Sequence, residues 1–377
     1  MLDSLNIKNY RNLKEIKIDS LGKVNLITGK NNTGKSTILE ALAIYATKGD
    51  ISLISQLLEE RGENFKQKDT NKNSTEINIL SFASLFANRN VGFDITDAIS
   101  IGDLENTSYG RIPSVEKQVS LRFVQYIDEV QKDEQGNTVR KRIVIQNNTE
   151  KHVENYEIGL EIKSGNTAYI LSLDEDDRPY RFRFKGFWGN ENIQFIRTGN
   201  IDRDINGILF DNITLTEKEQ YVIEALRIIE PQTERIAFIE EAPGERNAVI
   251  KLSDTQKVLP LRSMGDGINR ILTIILALVN SDNGFLLIDE FENGLHHTVQ
   301  EQLWKIIFAL SQKLNIQVFV TTHSEDCING FENILNSSEG ALSGKLIRLD
   351  NKNGKIEHVE FDARELKIAN EQDIDVR

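Results

Sequence analysis

The chain has 377 residues, 58 acidic against 45 basic, for a net charge of −13, with 39% hydrophobic and 27% charged residues. These values fit a globular chain rather than a disordered one, and the charge argues against a basic surface built for non-specific nucleic-acid binding. The length is large for one compact core, so two lobes are expected.

In chain order, the opening MLDSLNIKNYRNLKEI lacks the apolar core of a signal peptide, and no later window approaches the roughly 18 apolar residues of a membrane span. A cytoplasmic protein without membrane contact is expected. Val24 to Thr28 then reads as an apolar strand leading into GKNNTGKST. Gly29, Gly34, Lys35 and Ser36 fit G-x-x-x-x-G-K-[ST]. The backbone of such a loop, here with Asn31, Asn32, Thr33 and Thr37, wraps a polyphosphate, while the lysine reaches the outer phosphates and the hydroxyl holds magnesium. Ile38, Leu42 and Tyr45 follow at helical spacing, so a helix N-terminus with its partial positive charge points at the phosphates.

Residues 51 to 90 look mainly helical around the polar loop KQKDTNKNS. From about 97 to 198 strand-like runs dominate, including VSLRFVQYI, RKRIVIQ, NYEIGLEIK, TAYILSLD, YRFRFK and IQFIRT. With turns at DEQGN and SGN they read as an antiparallel meander. Two stretches in it are basic: Arg140, Lys141 and Arg142, and then Arg181, Arg183 and Lys185 alternating with Tyr180, Phe182 and Phe184. Alternation sends rings to one face and cations to the other. An amphipathic strand with its rings in the core is preferred here to a nucleic-acid surface.

From 216 onward helix and strand alternate, as in a parallel α/β sheet. In LPLRSMGDGINRILTIILALV, the small residues Ser263, Gly265 and Gly267, with Asp266, precede an apolar helix from Ile268 to Val279. This is a second helix N-terminus able to take phosphate. One nucleotide does not need two cradles from one subunit, so the turn is expected to meet a partner subunit's nucleotide. In NGFLLIDEFENGLHH, an apolar strand Phe285 to Ile288 ends in Asp289 and Glu290. Adjacent carboxylates there need an opposing charge, for which magnesium is suited, with Asp289 holding the ion and Glu290 activating water. The run Ile316 to Val320 ends in Thr321, Thr322 and His323, and His323 is expected to reach the γ-phosphate or the attacking water. Cys327 is the single cysteine, which excludes a disulfide framework, and with five scattered histidines it makes no zinc spacing. The terminal DIDVR reads as a solvated tail.

Taken together, LNIKNYRNLKEIKI, GKNNTGKST, LRSMGDGINR, LLIDEFENGLHH and TTHS resemble the ATP-binding cassette ATPases of the SMC and RecF type, most closely the ATPase module of OLD-family proteins. The resemblance covers residues 1 to 50 and about 195 to 350. It implies an α/β fold: a P-loop NTPase, an ABC-type ATPase head with a mixed or antiparallel β lobe and a parallel-sheet α/β lobe. The implied core is 1–50 with 195–350, the insert 51–194 and the tail 351–377. Arg11 and Asn12 would lie near the nucleotide, Ser263 to Gly267 would act in trans, and Glu292 to His297 would couple two active sites. ATP and Mg2+ are the implied cofactors. A homodimer, or a higher homo-oligomer built on ATP-dependent dimers, is the implied assembly.

Stand-alone OLD-like ATPases imply a sensor or regulator in bacterial defence, paired with a separate effector, a nuclease or a toxin. Competing readings are a RecF-like repair ATPase with DNA as partner, and a scaffold that uses ATP as glue, against which Glu290 speaks. The sequence departs from the pattern at S-M-G-D-G, where transporters have L-S-G-G-Q, and at His297, where the family often has proline. The glutamine loop is left open among Gln125, Gln146 and Gln194. About fifty residues follow His323, too few for the TOPRIM nuclease domain of OLD nucleases.

Overall fold

The computed structural model of the chain describes residues 1–63, 74–107, 110–132, 138–145, 156–174, 193–198, 205–242, 245–254, 258–337, 342–372 and 374–377. It opens with hairpin β1 (Leu5–Tyr10) and β2 (Leu13–Ile18), then β3 (Val24–Gly29), α1 (Lys35–Ala46), α2 (Ile51–Glu60) and α3 (Ser74–Ala83). Strands β4 (Ile99–Thr107), β5 (Gly110–Lys132), β6 (Thr138–Val144), β7 (Glu157–Ser164), β8 (Thr167–Ser172) and β9 (Ile193–Ile196) follow. Next come α4 (Ile205–Asp211), α5 (Glu217–Ile229), β10 (Thr233–Ala242), β11 (Glu245–Leu252), β12 (Val258–Pro260) and α6 (Asp266–Val279). The chain continues through β13 (Phe285–Ile288), α7 (His297–Lys313), β14 (Gln317–Thr321), α8 (Glu325–Ser337), β15 (Gly344–Lys352), β16 (Lys355–Phe361) and α9 (Ala363–Glu371).

The chain divides into two compact units. One comprises Met1–Asp3, Ser20–Leu39 and Lys185–Arg377, the other Ser4–Asp19 and Glu40–Phe184. The first is an α/β unit whose sheet runs β16-β15-β3-β14-β13-β9. Its pairings are parallel except β15 with β16. Every residue of β3, β9 and β14 is buried, as strands covered on both faces must be. Because Ile288 pairs with Val320 and Thr321 with Ile27, the C-terminal ends of β13, β14 and β3 lie side by side. Open α/β sheets bind ligands at that edge. The core against this sheet includes Leu272, Ile275, Phe308 and Trp304. A separate antiparallel sheet, β10-β11-β12, belongs to the same unit.

The second unit is an antiparallel sheet in the order β2-β1-β4-β5-β7-β8, with β6 also paired to β5. Leu5 and Ile7 face Ile18 and Ile16 across the first hairpin, all four buried. The turn at Ser164 to Asn166 joins β7 to β8 as expected. Residues 133–137, holding DEQGN, and the alternating run at 180–185 lie outside the described residues. Arg142 serves the sheet itself: it donates to Ile170 O at 2.9 Å and sits 5.4 Å from the Tyr126 ring.

Three expectations need correction. The run IQFIRT is no part of the meander: β9 pairs in parallel with β13, because IQFI is buried throughout rather than alternating. The units do not follow the boundaries at 50, 194 and 350. The first hairpin goes with the antiparallel unit, since β1 pairs with β4, and β16 and α9 complete the α/β unit. The last residues are anchored rather than merely solvated, because Thr28 Oγ1 donates to Val376 O at 2.6 Å and Arg348 Nη1 to Asp375 O at 2.7 Å. Among the described residues no helix is long and apolar enough to cross a membrane.

Candidate active site

Strand β3 delivers Gly29 to the sheet edge with φ 137°, a conformation that favours glycine. A Cβ there would lie 2.5 Å from Leu349 O and 2.8 Å from Thr33 Oγ1, so a side chain would fill the base of the loop. Thr33 donates to Lys30 O at 2.8 Å, while Asn31 and Asn32 are exposed, Asn32 with φ 65°. Gly34 and Thr37 are buried where α1 begins. Lys35 Nζ donates to Gly29 O at 2.6 Å and to Lys30 O at 3.1 Å, which holds the ammonium inside the loop. Burial pulls its pKa below the usual lysine range, and the carboxylates of Asp289, Glu292 and Glu290 act against that pull.

The carboxylate pair stands where β13 ends. Asp289 N–H donates to Ile196 O at 2.8 Å, which ties it to β9. Asp289 Oδ1 accepts from Ser36 Oγ at 3.1 Å and from Thr321 Oγ1 at 2.6 Å. Thr321 Oγ1 in turn accepts the Glu290 N–H at 2.9 Å, and its carbonyl accepts the Phe291 N–H at 3.0 Å. Glu290 is partly exposed and has φ 48°, a left-handed conformation uncommon for a side chain of this size. Phe291 is buried, with its ring 4.5 Å from that of Trp304 and nearly parallel to it.

Glu292 holds the segment after β14. Its Oε2 accepts from Thr322 Oγ1 at 2.7 Å, and its Oε1 accepts the His323 N–H at 3.0 Å, with His323 Nδ1 also at 3.0 Å. The imidazole is 55% exposed and so open to a substrate. At the end of the 292–297 loop, His296 caps α7, its Nδ1 lying 2.9 Å from Thr298 Oγ1. With His297 in place of the common proline, the helix begins at that residue under a histidine cap.

Ser263 lies in a short 3-10 turn, exposed, and donates to Pro260 O at 2.7 Å. Gly265, with φ 105° and open space around its Cβ position, precedes α6. Asp266 opens the helix, and its side chain lies outside the described residues. A Cβ on Gly267 would come within 3.0 Å of Gly294 O, so this turn abuts the loop that follows the carboxylates.

Ser36, Asp289, Glu290, Glu292, Thr321, Thr322 and His323 are therefore gathered at one sheet edge. Arg11 and Asn12 belong to the antiparallel unit, where Arg11 pairs with Glu40 at 2.9 Å and Glu63 at 2.6 Å, and Asn12 is exposed. Of the glutamine candidates, Gln125 is in β5 and Gln146 lies outside the described residues. Gln194 is buried in β9, two residues short of Ile196. Sequence reasoning missed Arg270, although a cation inside the apolar run INRILTIILALV is a readable signal.

The donors fit the groups the motifs imply. Ser36 and Asp289 offer hard oxygen ligands of the kind magnesium takes, and the narrow base at Gly29 with the Lys35 ammonium suits a polyphosphate.

A family model described as "AAA domain, putative AbiEii toxin, Type IV TA system" matches residues 24–326. A Helicobacter pylori protein named "ATP/GTP phosphatase" is 25% identical over 360 residues, covering 93% of this chain and 92% of its own. The "DNA replication and repair protein RecF" of Rickettsia typhi is 24% identical over 364 residues, covering 88% of this chain and 97% of its own. Among solved structures, an SMC head bound to the C-winged helix domain of ScpA aligns with a TM-score of 0.49 at 13% identity, covering 96% of this chain and 97% of that one. The family match runs from the phosphate-loop strand through the carboxylates and past His323, and the chain belongs to this AAA family of ATPase-type domains.

Proposed function

We propose that the chain binds ATP with magnesium, hydrolyses it at a site completed by a second copy, and thereby controls a separate nuclease or toxin in defence against phage. The observation that carries the ATPase part is the junction of Ser36, Asp289 and Thr321, with Glu290 held beside it in a left-handed conformation. In this reading the loop from Gly29 to Thr37 cradles the phosphates and Lys35 neutralises the outer ones. Magnesium, when held by Ser36 and Asp289, would supply further charge neutralisation. Glu290 takes the proton of the attacking water, and His323, tethered by Glu292, donates toward the terminal phosphate. The exposed turn at Ser263 is available to a second copy. The regulatory role rests on the likeness to stand-alone OLD-like ATPases.

Nucleotide binding and phosphate release, measured in parallel, test this reading. Lys35→Ala is expected to lose binding. Glu290→Gln is expected to keep binding and lose turnover by about 100-fold or more. Normal turnover in Glu290→Gln removes the proposed base. The RecF relative, matched over nearly its whole length, favours a second reading in which DNA is the partner. That reading requires a duplex complex whose affinity falls steeply with salt.

A further inference from the structure

Arg270 is 7% exposed, on α6, the helix that starts at the turn Ser263 to Gly267, called the signature turn below. Its Nη2 donates to Asp289 O at 3.1 Å and Glu290 O at 3.4 Å, and its Nη1 donates to Arg197 O at 3.3 Å. Its Nε is buried without a hydrogen bond among the described residues. Burial opposes the guanidinium's charge, and the carboxylates of Asp289, Glu290 and Glu292 favour it. An apolar side chain would pack here at lower cost, so a buried cation calls for a specific task.

The task lies in the backbone it grips. A glutamate at φ 48° persists only where its surroundings over-determine it. Thr321 binds the N–H of Glu290, and Arg270 binds its carbonyl together with that of Asp289. Both ends of the catalytic peptide are thus fixed from different elements, β14 and α6. We propose that Arg270 is a positioning residue that sets Glu290 for proton abstraction within its own chain, and that it links the signature helix to that glutamate. The proposal rests on the ATPase reading.

The test uses the full chain with Arg270→Met, which removes the donors at similar length, and Arg270→Lys, which keeps the charge. Nucleotide affinity is expected to stay within about twofold of wild type, while kcat falls about 100-fold in Arg270→Met and recovers in part in Arg270→Lys. Mixed subunits separate positioning from a structural effect on the signature turn. Arg270→Met mixed with Ser263→Arg should regain activity, because one site then combines an intact Arg270 with an intact partner turn. Arg270→Met mixed with Lys35→Ala should stay inactive. The reverse pattern, a normal kcat in Arg270→Met, or losses of affinity and kcat together would overturn the proposal. If Arg270→Met fails to fold, Arg270→Lys decides, and a wild-type kcat there counts against it. A control mixture of Lys35→Ala with Ser263→Arg that regains nothing counts against the shared site instead, and Arg270 is then judged on kcat and affinity alone.

Discussion

Thr321, on the neighbouring strand, holds the segment Asp289–Phe291, which carries the carboxylates assigned here to catalysis. Its hydroxyl donates to Asp289 Oδ1 and accepts from Glu290 N–H, and its carbonyl takes the next N–H, so one residue fixes one carboxylate and the backbone that carries the other. The chain itself makes the phosphate loop legible, because glycine, lysine and hydroxyl must stand at fixed spacing within a few residues. The partners of Thr321 and Arg270 are different. They are backbone or carboxylate groups 19 to 73 residues away, and no local pattern encodes them. Glu332 carries a test at this scale. Burial on α8 raises its pKa, with Glu371 adding to the shift and Asn370 and Lys367 opposing it. A carboxyl raised in the folded state costs stability when ionised, and the cost disappears once pH falls below the ordinary glutamate range. Glu332→Gln, whose amide oxygen can still accept from Asn370, should therefore raise Tm by about 2 °C near neutral pH, with the gain fading toward about pH 4. A gain that is independent of pH would contradict the burial argument.

Elements were legible where period and length agreed. The strands before the phosphate loop and the carboxylates, and the helix after the signature, stand where their apolar runs predict them. Strand β9 is not separable from the meander in the sequence, because the four residues IQFI carry too little pattern to tell a buried parallel strand from a meander strand. The last residues read as a solvated tail because the partners that anchor Val376 and Asp375, Thr28 and Arg348, are 348 and 27 residues away. Helix α7 carries the packing on which the loop after β13 rests. Trp304 is fully buried, stacks on Phe291 and donates from Nε1 to Cys327 O at 3.1 Å. Trp304→Ala should cost the α/β unit about 3–5 kcal/mol. Trp304→Phe, which keeps a ring but loses the bond, should cost about 1 kcal/mol. Urea unfolding of the two variants measures the difference, and an alanine variant within about 1 kcal/mol of wild type would show that Phe291 is held by other contacts.

For the whole molecule, one unit is built on the large antiparallel sheet and the other on the mostly parallel sheet together with β10-β11-β12, and the groups proposed for catalysis lie in the α/β unit. Its exposed turn at Ser263 to Gly267 abuts the loop that follows the carboxylates through Gly267 and Gly294. In the proposed function hydrolysis needs two copies, and a mixture of two inactive variants checks this. Lys35→Ala lacks the phosphate grip, while Ser263→Arg, altered at an exposed position, lacks the partner turn. In a mixed dimer one site carries both lesions and the other carries neither, so an equal mixture should recover up to about a quarter of the wild-type ATPase rate if the sites fire independently. Ser263→Arg hydrolysing ATP alone at the wild-type rate, with mixing adding nothing, would contradict the shared site.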